Sequence, residues 1–392
     1  MSRLGYRSGN AADNAVDNAV DNAADSAIIL RAGPVAMEQI REHGLQASQV
    51  AVIPAAAGGP KGLILQALDQ WLFGDWLAAA PRQRSLIGAS IGSWRMAAAS
   101  MPDPVAGFAR LGNLYCQQTY PPRPSSSYVT EVLRDLLYRF VDDQESQIVA
   151  QPNNRLHILT NKGRGLLRAP TKTLSVKAGF AAATLANIGS RAQLARHIER
   201  VVISDSRDPL PWLKSPFDSF TTEFSALSAD NLKAALLASG TLPLIMDPVR
   251  HIPGAPDGTY WDGGLIDYHL ALPYSRLLDN QPPQSRKELV LYPHFTDHII
   301  PGWLDKAFAW RRAGRGKNNH WLDNVVLVAP SPEFIRSLPR RKMPDRKDFA
   351  YHGSNHQRRI AEWQNAIGAS ERLRDAFASF VAKPDPDLLL PF

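Results

Sequence analysis

The chain has 392 residues, enough for one large domain or two ordinary ones, and its 44% hydrophobic and 21% charged residues are the proportions of a globular protein. A single cysteine, Cys116, excludes an internal disulfide framework and suits a reducing compartment. The formal net charge of +7 is concentrated, with eleven Lys or Arg against five Asp or Glu in residues 301–350, a patch able to meet nucleic acid, anionic lipid or only water.

In chain order, "MSRLGYRSGN" lacks the apolar core of a secretion signal, and no apolar run approaches the roughly 20 residues of a membrane span, so a cytoplasmic protein is expected. Asp13, Asp17, Asp21 and Asp25 recur every four residues and would repel along a helix. Residues 1–26 therefore read as a disordered low-complexity tail. "AIILRA" and "QVAVIPAAA" read as strands, and between them Pro34 and Gly44 bracket a short helix. "KGLILQALDQWLFGDWLAAA" and "VAGFARLGNLYCQQTY" read as helices. "LHILTN", "TLSVKAG", "RVVISDS", "ELVLYPH" and "NVVLVAP" are further strand candidates, several of them continuous apolar runs suited to strands covered on both faces. The alternation predicts an α/β fold with a mostly parallel sheet and helices on both sides. With no clear linker, residues 27–300 are expected to form one domain, and residues 301–392 a basic helical elaboration packed on it.

Three stretches could carry chemistry. Gly88-Ala89-Ser90-Ile91-Gly92 is a G-x-S-x-G pattern after the apolar pair Leu86-Ile87 and before the helix-forming run Trp94–Ala99. Strand, sharp turn and helix are the context in which a serine is presented as a nucleophile. Gly58-Gly59-Pro60-Lys61-Gly62 lies between a strand and a helix, where free N–H groups and the helix dipole suit an anion. Pro60 cannot donate, and the Walker A spacing is absent. Asp262-Gly263-Gly264 is an ordinary turn sequence taken alone; beside Ser90, its aspartate becomes a candidate base.

In this order and context, the three motifs resemble those of the patatin-like phospholipases, and "ALLASGTLPLIMDPV" at 235–249 agrees with that family's helix-to-loop segment. The resemblance spans roughly residues 49–275. It implies a three-layer α/β/α sandwich and a Ser–Asp dyad made of Ser90 and Asp262. It also implies an oxyanion and substrate-binding loop of Gly58, Gly59, Lys61 and Gly62 with the Ile91 amide, and no metal or cofactor. The implied substrates are acyl esters of phospholipids and other lipids, cleaved through an acyl-enzyme. Ala55-Ala56-Ala57 and Leu265-Ile266 depart from the family's usual residues beside two of the motifs, which bears on the acyl pocket.

Two other readings stay open on the residues alone. A Ser-His-Asp esterase could use His294 or His298, which follow Asp262 in the required chain order. A non-catalytic lipid-binding protein could retain the fold. No helix-turn-helix, zinc or RNP signature accompanies the basic region, so nucleic acid is not an expected partner. Trp303, Ala307 and Trp310 fall near helical spacing beside Arg311, Arg312, Arg315 and Lys317, and that surface could touch an anionic membrane peripherally. Oligomeric state is not encoded in any feature of the sequence.

Overall fold

The computed structural model describes residues 27–170, 172–279 and 287–392; the tail expected at 1–26 lies outside the described residues. The described chain is built on one mixed, mostly parallel sheet. Its strands are β1 (Ile28–Ala32), β2 (Val50–Ala55), β3 (Arg84–Ala89), β4 (Asn154–Gly163), β5 (Ile198–Ser204), β6 (Thr222–Ala226), β7 (Tyr260–Asp262), β8 (Leu289–Pro293), β9 (Val325–Pro330) and β10 (Leu389–Leu390). They lie in the order β10-β1-β9-β8-β2-β3-β4-β5-β6, and β7 also pairs with β4. The pairs β1–β9, β4–β5 and β4–β7 are antiparallel and the others parallel.

Every residue of β2, β3, β8 and β9 is buried. Successive strand residues point to opposite faces, so both faces of the sheet centre are covered, as the continuous apolar runs require. The principal helices are α1 (Pro34–His43), α2 (Ile91–Ala99), α3 (Pro104–Cys116), α4 (Ser126–Val141), α5 (Thr173–Gly189), α6 (Ala229–Ser239), α7 (Lys347–His352), α8 (His356–Ala369) and α9 (Glu371–Ala382). This is the α/β/α architecture expected from the sequence.

Two elements differ from expectation. "TLSVKAG" alternates apolar and polar residues like a strand, but it is the first half of α5. Its period-2 pattern is too short to outweigh the Ala-rich run that follows, which favours a helix. The Trp303–Lys317 stretch forms short 3-10 turns rather than an α-helix, and Trp303 packs against the core. The segment 301–392 is not only helical: its β9 sits between β1 and β8 inside the sheet. Much of its charge is paired internally, through Arg311–Asp305, Arg336–Glu333, and Arg340 and Lys342 on Asp348.

Candidate active site

Strand β4 is longer than its neighbour β3 and outruns it. The register puts Ala89, the last residue of β3, opposite Leu159, and Asp262, the last residue of β7, opposite Thr160. Strand β3 runs parallel to β4 and β7 runs antiparallel, so the two strands meet head-on along one edge of β4. Ser90 and Asp262 are the residues at the meeting point. The Ser90 hydroxyl donates to Asp262 Oδ2 at 2.7 Å, and both residues are buried.

Ser90 has φ 55° and ψ −130°, a conformation costly for any residue with a β-carbon. Its neighbours make room for it. A β-carbon at Gly92 would lie 2.0 Å from the Ala55 carbonyl oxygen, and one at Gly88 would lie 2.4 Å from the Ser93 nitrogen. Ser93 holds the turn closed, its amide and hydroxyl donating to the Ser90 carbonyl at 2.9 and 2.7 Å. The Ser90 amide donates to the Ser239 hydroxyl at 2.9 Å.

Asp262 is fixed from three sides. Its Oδ1 accepts the Gly264 amide at 2.7 Å, its amide donates to the Thr241 carbonyl at 2.8 Å, and its carbonyl accepts from the Asn161 side chain at 2.6 Å. Burial pushes its carboxyl above the usual aspartate range; the Ser90 hydrogen bond, the Arg346 charge and the Gly264 amide offset part of that rise.

The glycine loop packs beside this pair. Gly62 lies against Ile91 and Arg95 of α2, and Gly59 takes φ +57° beneath the Arg346 guanidinium. Among the described residues, the Gly58, Gly59 and Ile91 amides donate to no protein acceptor. Unbonded amides at a helix start next to a buried hydroxyl form a site that can receive developing negative charge. The Lys61 ammonium lies 5.2 Å over the Phe295 ring, and burial lowers its pKa. Its charge is therefore near the loop without taking the place of the amides.

A cavity of about 780 Å³ is lined by Ser90, Trp94, Leu133, Leu237, Met246 and Phe349, with Arg346 also on its wall. Its size falls in the range of small-molecule sites, and its lining suits an aliphatic chain. The candidate histidines lie elsewhere. His294 is buried, with its Nδ1 accepting the Thr296 amide at 2.9 Å, and desolvation lowers its pKa to about 3. His298 pairs with Asp297 at 3.0 Å. Among the described residues, no histidine hydrogen-bonds Ser90 or Asp262.

Residues 57–273 match the family model of the patatin-like phospholipases, more than half of the 392-residue chain. The chain belongs to that family. Its family activity is lipid acyl hydrolysis, and lipid is the substrate class that membership carries. No individually curated protein is matched. The matched segment holds all three motifs, but not every group around them. Arg346, Phe349 and Lys306 come from the chain beyond it. The Lys306 ammonium sits 4.1 Å over the Tyr268 ring centroid, where desolvation and the charges of Lys61 and Arg346 lower its pKa to about 7.

Sequence reasoning missed Arg346, Lys306, Asn161 and Ser239. Ser239-Gly240-Thr241, a small polar run closing a helix, was the one available signal for Ser239. The cations were masked by the many charges around them.

Proposed function

We propose that this patatin-like protein is a serine acyl hydrolase in which Ser90 is the nucleophile and Asp262 its base, cleaving carboxylic esters of lipids. The observation that carries the reading is the 2.7 Å hydrogen bond to the buried Asp262 carboxylate from Ser90 Oγ, whose residue lines an apolar cavity. Ser90 Oγ attacks the ester carbonyl as Asp262 takes its proton. The alcohol leaves with that proton, and the acyl group remains on Ser90. Water, deprotonated by Asp262, then attacks the acyl-enzyme, and the fatty acid leaves as Asp262 returns the proton to Ser90 Oγ.

An ordinary aspartate, with a pKa near 3.9, is a weak base at neutral pH. Burial of Asp262 favours the role because it makes the carboxylate more basic. The Gly58, Gly59 and Ile91 amides are the donors we assign to the oxyanion, each contributing about 2.7–4 kcal/mol in comparable sites. Gly62 is assigned to packing against α2, and Lys61 to the electrostatics of the loop. The test is a panel of phospholipid, lysophospholipid and neutral acyl esters with wild type and Ser90→Ala, alongside labelling by a fluorophosphonate. Hydrolysis and labelling should both disappear in Ser90→Ala; activity surviving there would remove Ser90 from the chemistry.

A further inference from the structure

Helix α5 is apolar on both sides. Its inner face buries Gly179, Phe180 and Ala183. Its outer face carries Leu174, Ala178, Ala181, Leu185 and Ile188, spaced four, three, four and three residues apart, a single stripe along the helix. Leu174 is 76% exposed, Leu185 70% and Ile188 56%. Large aliphatic side chains aligned on one solvent-facing stripe mark an interaction surface. Among the described residues no helix is long and apolar enough to cross a membrane, and α5 is anchored to the core by its other face, so it can lie only in the plane of whatever covers it.

The surrounding charge selects the covering partner. Residues 164–197 contain Arg164, Arg168, Lys172, Lys177, Arg191 and Arg196 and no Asp or Glu. Arg191 is committed to Asp305 and Arg164 shares Glu199, while Arg168, Lys172, Lys177 and Arg196 are exposed. The turn bearing Trp310 is tied to the end of α5, with Arg311 donating to the Asn187 carbonyl at 2.8 Å and to Asp305 at 2.8 Å. Trp310 itself is 70% exposed. An aliphatic stripe, an indole and unpaired cations without acids suit an anionic lipid surface, where rings and chains enter the head-group layer and cations meet phosphates. A second copy of the chain would bring like charges together.

We propose that the outer face of α5, with Trp310, docks this protein on anionic bilayers. This centres the contact on α5 and keeps only Trp310 of the aromatic and basic stretch that suggested membrane binding from sequence, where Trp303 and Arg311 are occupied internally.

The test is co-sedimentation with phosphatidylglycerol-containing vesicles and with pure phosphatidylcholine vesicles. Wild type should pellet with the former, less so as salt rises. The triple variant Leu174→Gln, Leu185→Gln, Ile188→Gln should bind at least about tenfold more weakly, and Lys172→Gln with Lys177→Gln should bind more weakly with a shallower salt dependence. These side chains are exposed, so thermal melts should be unchanged. Hydrolysis of a short-chain, water-soluble ester should be equal in all of them, whereas Ser90→Ala should still pellet, so docking and chemistry are read separately. Wild type remaining in the supernatant with anionic vesicles, or a triple variant that pellets equally, would overturn the proposal. A dimer dissolved by the triple variant would assign the face to a second copy and overturn it too.

Discussion

Ser239 holds Ser90 in its strained conformation: its hydroxyl accepts the Ser90 amide at 2.9 Å while donating to the Leu159 carbonyl at 2.7 Å. One side chain from the end of α6 thus joins the nucleophile's turn to β4. Ser239→Ala should strand two buried backbone groups at a cost of about 1–3 kcal/mol. It should also lower kcat more than it changes KM, because the hydroxyl of Ser90 would lose its aim. Chemical unfolding and steady-state kinetics on one ester check both; an unchanged kcat would reduce Ser239 to a purely structural residue.

Ser90→Ala and Asp262→Asn should each reduce kcat by at least about a thousandfold, and the double variant should be little worse than either. Residues that work as a unit lose their function together. Additive losses would separate the two roles, and near wild-type activity in Asp262→Asn would require another base.

Gly59 sits at φ +57°, and a β-carbon there would lie 3.2 Å from Arg346 Nε. Gly59→Val should close the space in which an oxyanion meets the loop amides, lowering kcat by about 10²–10³ with a smaller change in KM. Lys61→Ala should be milder. The comparison is made at equal folded fraction, measured by near-UV circular dichroism.

Asp262 must be ionised to take a proton. Its pKa is raised by burial, so the acid limb of kcat/KM should lie above the ordinary aspartate range, with activity rising as pH rises through it. Lys306 titrates near 7, beside Asp262, Lys61, Arg346 and Tyr268. Its cationic charge is present below that pH and lost above it. Turnover of an anionic ester should therefore decline as pH rises through about 7 in wild type and be flat there in Lys306→Met. A neutral ester should not distinguish the two enzymes. pH–rate profiles for both esters check this.

Apart from the Ser90–Asp262 pair, a buried serine–histidine–aspartate cluster lies at the other end of β3. His157 contacts Ser204 at 2.8 Å and Asp208 at 3.1 Å, and Ser85 donates to Asp208. Burial raises the Asp208 pKa, but the His157 hydrogen bond and charge, with the Ser85 hydroxyl, outweigh it and leave it below the ordinary value. A depressed carboxylate pKa contributes stability above the unfolded value, near 3.9, which is lost as pH falls through the folded one. Wild type should lose more stability than Asp208→Asn between neutral pH and about pH 3. Urea unfolding at the two pH values checks it.

The sheet was legible wherever strands are buried on both faces, because runs such as Val50–Ile53 and Val325–Val328 admit no solvent-facing alternation. The motifs were legible as local chemistry. What joins Ser90 to Asp262, however, is the extra length of β4, a property of register between distant strands that no local pattern carries. The stripe on α5 misled, because the exposed Leu174, two residues before the half-buried Val176, gave the segment the alternation of a strand. Arg346 reaches the site only through tertiary packing, so nothing set it apart from the other cations near it.

Among the described residues, strand β1 pairs with β9 and β10, whose residues lie after position 324. During synthesis, β1 is thus made well before these two partners. Its ladder with β9 forms only after residues 325–330 are made, when β2 to β8 are already in the chain. A chain cut short before residue 325 would lack that ladder and offer the open edge to others of its kind.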